Sequence, residues 1–286
     1  MLMPLVAVAA LTLSAPDTLT NVFLVTRGDR LDVETRNGNV AIRTTTTSSV
    51  RVTGGWRGRL SHEGGVLKLD GNARRGWTDE TDLVLEVPLW MPLAVQTQNG
   101  DVNIDAADAH VDVQTLAGNV TVRNAKAGVS LHAISGDLRV LQSAGRLELN
   151  SVNGGILVIG ADGPVMAATV NDDITLAEIR SDQVAAETVN GEVRYAGALE
   201  ARGRYTFSSH NGDITLHLPG TPDALVSVAT YSGEFESDWP LTLTERRGGR
   251  FSVPLGRGAG ARVDLESFQG SIRLSRRAMT LPAARN

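Results

Sequence analysis

The chain has 286 residues, 42% of them apolar but only 4% aromatic, and a formal charge of −5 with no cysteine. That is enough aliphatic material for a large core in narrow, regular layers, with no basic footprint for nucleic acid. The absence of cysteine excludes disulfides, thiol catalysis and thiolate metal sites.

In chain order, the apolar run Leu5–Leu13, with small residues around Ala9, Ala10 and Ala15, resembles the hydrophobic part of an export signal, although no Lys or Arg precedes it. It is shorter than the roughly 20 residues a bilayer-spanning helix needs, and no later stretch is long enough. The expected location is outside the cytoplasm, in the cell envelope or periplasm, with a cytoplasmic protein as the alternative. The expected divisions are 1–15, an export signal; 16–92, an N-terminal β cap with the first coil; 93–237, regular coils; and 238–286, an irregular excursion with a C-terminal coil and tail.

The phrase "VQTQNGDVNI" at 95–104 looks like two short strands around an Asn-Gly turn, the signature of a β-hairpin. It recurs, however, with glycines at Gly38, Gly100, Gly118, Gly136, Gly154, Gly191, Gly212, Gly233 and Gly270 and with Asp172 in one glycine slot. From 100 to 172 the interval is 18 residues each time, then 19, 21 and 21, with a last gap of 37. A fixed period of this size marks a solenoid. The positions seven and five before each glycine and two and four after it are apolar in 39 of 40 cases, Ser237 being the exception; the positions between them are apolar in seven of 40. Each strand therefore buries one face and wets the other.

A hairpin does not explain why identical slots return 18 residues later. A coil laid beside its own copy, at about 4.8 Å, explains both facts. The predicted fold is an all-β, single-stranded parallel β-helix with coils of about 18 residues and irregular β end caps. Right-handed winding is favoured by the preference of parallel crossovers. "NGD" becomes the corner of the coil. Asn precedes the glycine in six of ten repeats, Asn99 among them, and Asn-Gly suits positive φ. Thr or Ser stands three before it in nine of ten, able to bond backbone groups at the corner. A second corner is built of small residues, as in "NAKAG" and "QSAGR".

The ends differ. Residues 43–92 hold Trp56, Trp77 and Trp90, and 238–262 replace a repeat with an excursion containing Trp239 and "ERRGGR". Such segments are expected to cap the open ends, with the last coil, "VDLESFQGSIRL", closing the array.

The phrases "LDVETRNGNVAI", "LVLEVPLWMPLAVQTQNGDVNI", the serial "V.V.T..GDV.V" units and "VDLESFQGSIRL" together resemble the adhesin-like β-helix domains of bacteria over residues 20–277. The resemblance implies an envelope-associated, non-enzymatic protein with no catalytic residues to carry over. Asp172 departs from the corner pattern.

The best candidate for chemistry is the slot after the glycine, with Asp101 and Asp137 early and Asp173, Glu192, Asp213 and Glu234 on four successive repeats. Stacked acids repel, so Ca²⁺ could bridge them; the bland alternative is a solvated acidic corner. No other cofactor is implied. Arg194, pointing outward between Asp173 and Asp213, would be the base of a polysaccharide lyase-like enzyme, and Arg139 beside Asp137 is a weaker candidate. His62, His110, His132, His210 and His217 fall in different slots and do not converge on a metal. The tryptophans either close the core or present aromatic surface, and "ERRGGR" is a charged loop that could touch an anionic polymer. The leading reading is a non-catalytic, adhesin-like binding and structural module whose partner is an envelope polymer or protein; the alternatives are the lyase-like enzyme and a self-polymerising β-helix scaffold.

Overall fold

Val, Leu and Ile at alternate positions on both sides of each corner leave the chain one way to bury its apolar side chains, as paired strands wrapped around a common interior. The computed structural model describes residues 21–53, 58–71, 82–240, 245–247 and 250–280. Among these every regular element is a strand, gathered into one sheet of 13 and one of 14. The strand before each corner, such as Leu93–Asn99, Val111–Ala117 or Val129–Ser135, joins the 14-stranded sheet. The strand after it, such as Val102–Asp105 or Val120–Arg123, joins the 13-stranded sheet.

Neighbours pair in parallel and in the register of the repeat: Val111 lies between Leu93 and Val129, and Val120 between Val102 and Leu138. The chain does not turn back at Asn-Gly. The inward slots form the core, with Val111, Val113, Val120, Val122, Leu131 and Leu138 fully buried. Toward the C-terminal end three rings thicken it: Tyr195 packs 6.0 Å from Tyr205 and 5.2 Å from Phe207. Burial drives the Tyr195 phenol far above its ordinary range.

The ends are arranged differently from the linear order of the sequence. The first coil, Arg30–Asn37 with Val40–Thr45, is internal: it lies between the Gly100 coil and an outer coil made of Val66–Asp70 and Leu83–Pro88. Antiparallel strands Arg59–Glu63 and Ser49–Thr53 then cover that outer coil, with Asn21–Leu24 beyond the latter. The other end repeats the device. The last coil, Ala261–Ser267 with Ile272–Ser275, pairs with Arg204–Ser209 and Ile214–His217 on one side and with Ala224–Thr230 and Phe235–Ser237 on the other.

The expectation that the last coil closes the array is therefore corrected: it is second from the end. The outermost coil is the one around Gly233, and the antiparallel strands Arg250–Leu255 and Glu245–Arg247 lie against its 14-stranded-sheet edge. The physical reason is edge protection. A terminal parallel strand offers a row of unpaired backbone groups, and a chain that folds back antiparallel covers them.

Trp90 packs against the core and Trp239 is buried, with Arg276 5.0 Å above its ring. Trp56, Trp77 and the export-signal segment 1–15 lie outside the described residues, as do the side chains of residues 245–249.

Candidate functional site

At the first corner the glycines touch one another. A Cβ built on Gly100 would strike the carbonyl oxygen of Gly38, and one on Gly118 that of Gly100, well inside van der Waals contact. The same holds for Gly136 on Gly118 and Gly154 on Gly136. Farther along, Gly191 sits on Asp172, Gly212 on Gly191, Gly270 on Gly212 and Gly233 on Gly270. Positive φ contributes at Gly118 (φ +137), but the stronger demand for glycine is this close approach between coils.

Asp172 occupies its exceptional slot for a reason that lies one coil earlier. In most coils the side chain after the glycine caps the equivalent amide of the next coil: Asp101 accepts from the Asn119 N–H at 2.7 Å, Asn119 from Asp137 at 3.0 Å, and Asp137 from Gly155 at 3.1 Å. Gly155 has no side chain to offer Asp173, and the Asp172 carboxylate accepts that N–H instead, at 2.7 Å. The capping column then resumes from Asp173 to Glu192 at 2.8 Å and from Asp213 to Ser271 at 2.7 Å.

Backbone bonding at the corner also changes here. Before it, the glycine N–H donates forward to the next coil, as from Gly118 to Ser135. After it, the preceding residue donates backward, as from Asn171 to Val152, Asn190 to Val170 and Asn211 to Val189. The hydroxyl column follows suit. Thr169, Thr188, Ser209 and Ser267 donate to the corner carbonyl of the adjacent coil at 2.9–3.0 Å, whereas the Thr97 and Thr115 hydroxyls are buried without a partner. Asparagine side chains stack outside, with Asn171 bonded to Asn153 and Asn190 to Asn171 at 2.8 Å and Asn211 to Asn190 at 2.7 Å.

This geometry gives the acidic column a structural occupation. Asp173 and Glu192 flank Arg194, which donates to them at 3.0 and 2.6 Å. Asp213 caps Ser271, and Glu234 is not its neighbour, because the inserted last coil places Ser271 between them. The expectation of four consecutive acidic rungs is corrected accordingly. Among the described residues no group of three His, Asp or Glu side chains is placed to hold a metal. The Glu192 hydrogen bond, opposed by partial burial and helped by the Asp173 charge, holds the Arg194 guanidinium more firmly protonated than usual. That suits an anchor and not a proton acceptor. Arg139 is likewise paired with Asp137 at 2.9 Å.

The histidines are dispersed. His62 lies 3.3 Å from Asp29, His217 bonds the Arg277 carbonyl at 2.8 Å, and Phe268 stacks with His210 at 4.8 Å and with Tyr231 at 4.9 Å.

His132 is different, because it stands in a trough of about 580 Å³ on the outer face of the 14-stranded sheet. Gln96, Gln114, His132 and Asn150 lie in register along it, one per coil. Beside them runs an exposed aliphatic wall of Leu116, Ile134 and Val152, the first two 50% exposed. Val170 and Val189 extend that column, also exposed, toward the His210–Phe268–Tyr231 stack. The inner-slot pattern does not reveal this surface. Its signal is a further column two before the glycine, where Leu116, Ile134, Val152, Val170 and Val189 recur at intervals of 18 or 19 on the outward side.

The sequence profile of the Toastrack DUF4097 family matches residues 28–275. No curated protein matches the chain. Solved structures similar to it include three that cover nine-tenths or more of the chain. One is a candidate adhesin from Bacteroides fragilis at 12% identity, covering 91% of this chain and 98% of that one with a TM-score of 0.45. Another is a candidate adhesin from Parabacteroides merdae, at 10% identity, 91% and 96% coverage and 0.38. The third is a candidate cell adhesion protein from Clostridium sporogenes, at 10% identity, 90% and 98% coverage and 0.27. Among the described residues no helix is long and apolar enough to cross a membrane.

Proposed function

The chain belongs to the Toastrack DUF4097 family, and from its surface we propose a non-catalytic, adhesin-like binding and structural module of the cell envelope, exported through the segment around Leu5–Leu13. The observation that carries this reading is the trough with its aliphatic wall. Soluble proteins seldom leave such a column of large apolar side chains in water unless it meets a partner. Here the sheet repeats the same contact once per coil, which is how a rigid rack engages an extended surface by many weak contacts acting together. Asp101, Asp137, Asp173, Glu192, Asp213 and Arg194 are engaged with one another and with backbone amides, which supports a scaffold over a reaction centre.

The test is cosedimentation of the purified protein with envelopes isolated from the native cells. The unaltered chain should pellet with them, and Ile134→Asp combined with Val152→Asp should stay in the supernatant with an unchanged melting temperature. An unaltered chain that fails to pellet would remove the reading. Fractionation of those cells with N-terminal sequencing of the mature chain tests export: processing near residues 10–15 is expected.

A further inference from the structure

We propose that the trough on the 14-stranded sheet binds a neutral polysaccharide strand laid along the solenoid axis. The proposal rests on the binding-module reading above and names its ligand class. Three features of the trough converge on it.

The first is charge. Of the side chains lining the trough only Glu34 is an acid or a Lys/Arg cation, and it lies at one end, already paired with Lys68 at 2.6 Å. An anionic polymer would call for Arg or Lys along the floor, and a cationic one for a row of free carboxylates. The lining has neither, so the complementary ligand is uncharged.

The second is hydrogen-bonding chemistry. Gln96, Gln114 and Asn150 each present a donor and an acceptor on one amide, the combination that matches hydroxyl groups, which also donate and accept. His132 is held between Ser130 at 3.2 Å and Asn150 at 3.4 Å, so its ring stands fixed in the row. The wall of Leu116, Ile134 and Val152 supplies the other half of a sugar site, an apolar surface for the C–H face of each ring.

The third is spacing. Equivalent side chains recur every coil, about 4.8 Å apart. An extended peptide presents like-facing side chains about every 6.7 Å and drifts out of step within two coils. An extended chain of equatorially linked pyranose rings advances by close to one coil per sugar with alternate rings turned over, so its like faces recur about every second coil and stay nearly in step. An open trough spanning several coils suits the middle of such a chain.

Affinity electrophoresis through gels containing a soluble β-glucan, a galactomannan or polygalacturonate tests this directly. At least one neutral polymer should retard the protein while polygalacturonate does not. Gln114→Ala with His132→Ala should weaken that retardation about tenfold, as should Ile134→Asp, whereas Arg139→Ala on the opposite sheet should change nothing. Retardation by polygalacturonate alone, or by no neutral polymer, overturns the proposal. So does a dimer in sedimentation equilibrium that Ile134→Asp dissociates while neutral polymers leave the protein unretarded, for the occupant is then a second copy.

The envelope assay separates this from the broader reading. Pelleting that survives periodate oxidation of the envelopes but not protease treatment overturns the glycan and leaves the binding module intact. Pelleting abolished by periodate supports both.

Discussion

The middle of the solenoid and its two ends are built from the same strands under different rules. Between residues 111 and 197 every coil lies against the coils before and after it in sequence, so contacts are local and the repeat maps directly onto space. At each end the chain-terminal coil is threaded inside and a sequence-interior coil is pushed out to meet the antiparallel cover. Periodicity sets the stacking distance and the buried face. Order at the ends is set by the need to hide an open edge.

The largest effect should therefore come from removing the inserted coil. Among the described residues Ala224–Thr230 pairs with Ala261–Ser267 on one edge and the antiparallel Arg250–Leu255 on the other, so truncation after Gly260 leaves it without its inner support. Hydrogen exchange should show the amides of 224–230 and 250–255 losing protection together while 111–159 keep theirs. The slots of the two coils are alike, which makes the opposite result informative. Retained protection at 224–230 would mean that this coil docks directly on Arg204–Ser209 and that the threading is dispensable.

In the middle, one methyl group should come close to that effect. Gly118→Ala drives a Cβ into the Gly100 carbonyl at φ +137, combining about 1–2 kcal/mol of backbone strain with about 1–3 kcal/mol of overpacking. Gly220→Ala, at φ +65 with nothing near its Cβ, should lose only the strain, about 1 kcal/mol. Denaturant midpoints measure both, and equal losses would show that inter-coil contact is not what selects glycine.

The parallel solenoid was legible because its evidence is repeated. Val111, Val113, Val120 and Val122 state the inward face, and four successive 18-residue intervals state the stacking. The outer N-terminal coil was hidden, since Val66–Asp70 and Leu83–Pro88 keep the alternation without an Asn-Gly-Asp phrase between them. The exchange of the last two coils was hidden for the opposite reason: both carry the same slots, so reversing their order leaves the pattern intact. Of the candidate site, the acidic column could be located but not its capping role, because the backbone amide that Asp101, Asp137, Asp173 or Asp213 accepts from belongs to the adjacent coil. Leu116, Ile134 and Val152 were readable as a column, yet outward exposure of aliphatics runs against the usual sorting of apolar residues inward.

Acid should distinguish the two regions again. Among the described residues, the carboxylates held below their usual range, Asp29, Asp223 and Asp238, all belong to the ends. The Thr26 N–H does this for Asp29 and the Arg276 N–H for Asp238; at Asp223 desolvation opposes the shift but is outweighed by the Ala259 and Arg257 backbone N–H groups and the Arg257 charge. A depressed folded-state pKa contributes stability that is full above the unfolded value of 3.8 and is lost as pH falls through the folded value. Pepsin digestion at descending pH below 3.8 should cut the end segments first, and first cuts within 111–217 would contradict the assignment.

The smallest effect asks whether the middle is itself uniform. Thr115 and Thr188 occupy the same slot, both about 5% exposed, but the Thr188 hydroxyl donates to the Asp172 carbonyl at 2.9 Å while that of Thr115 is unpaired. Thr188→Val removes a made bond and leaves a carbonyl with one donor fewer, so it should cost about 1 kcal/mol. Thr115→Val removes a buried hydroxyl that gains nothing, and should raise stability by about 1 kcal/mol. Thermal unfolding resolves these opposite signs as melting shifts of about 2–4 °C down and up. Two losses of equal size would mean that the Thr115 hydroxyl finds a partner in solution, and that the corners before and after Asp172 are of one kind.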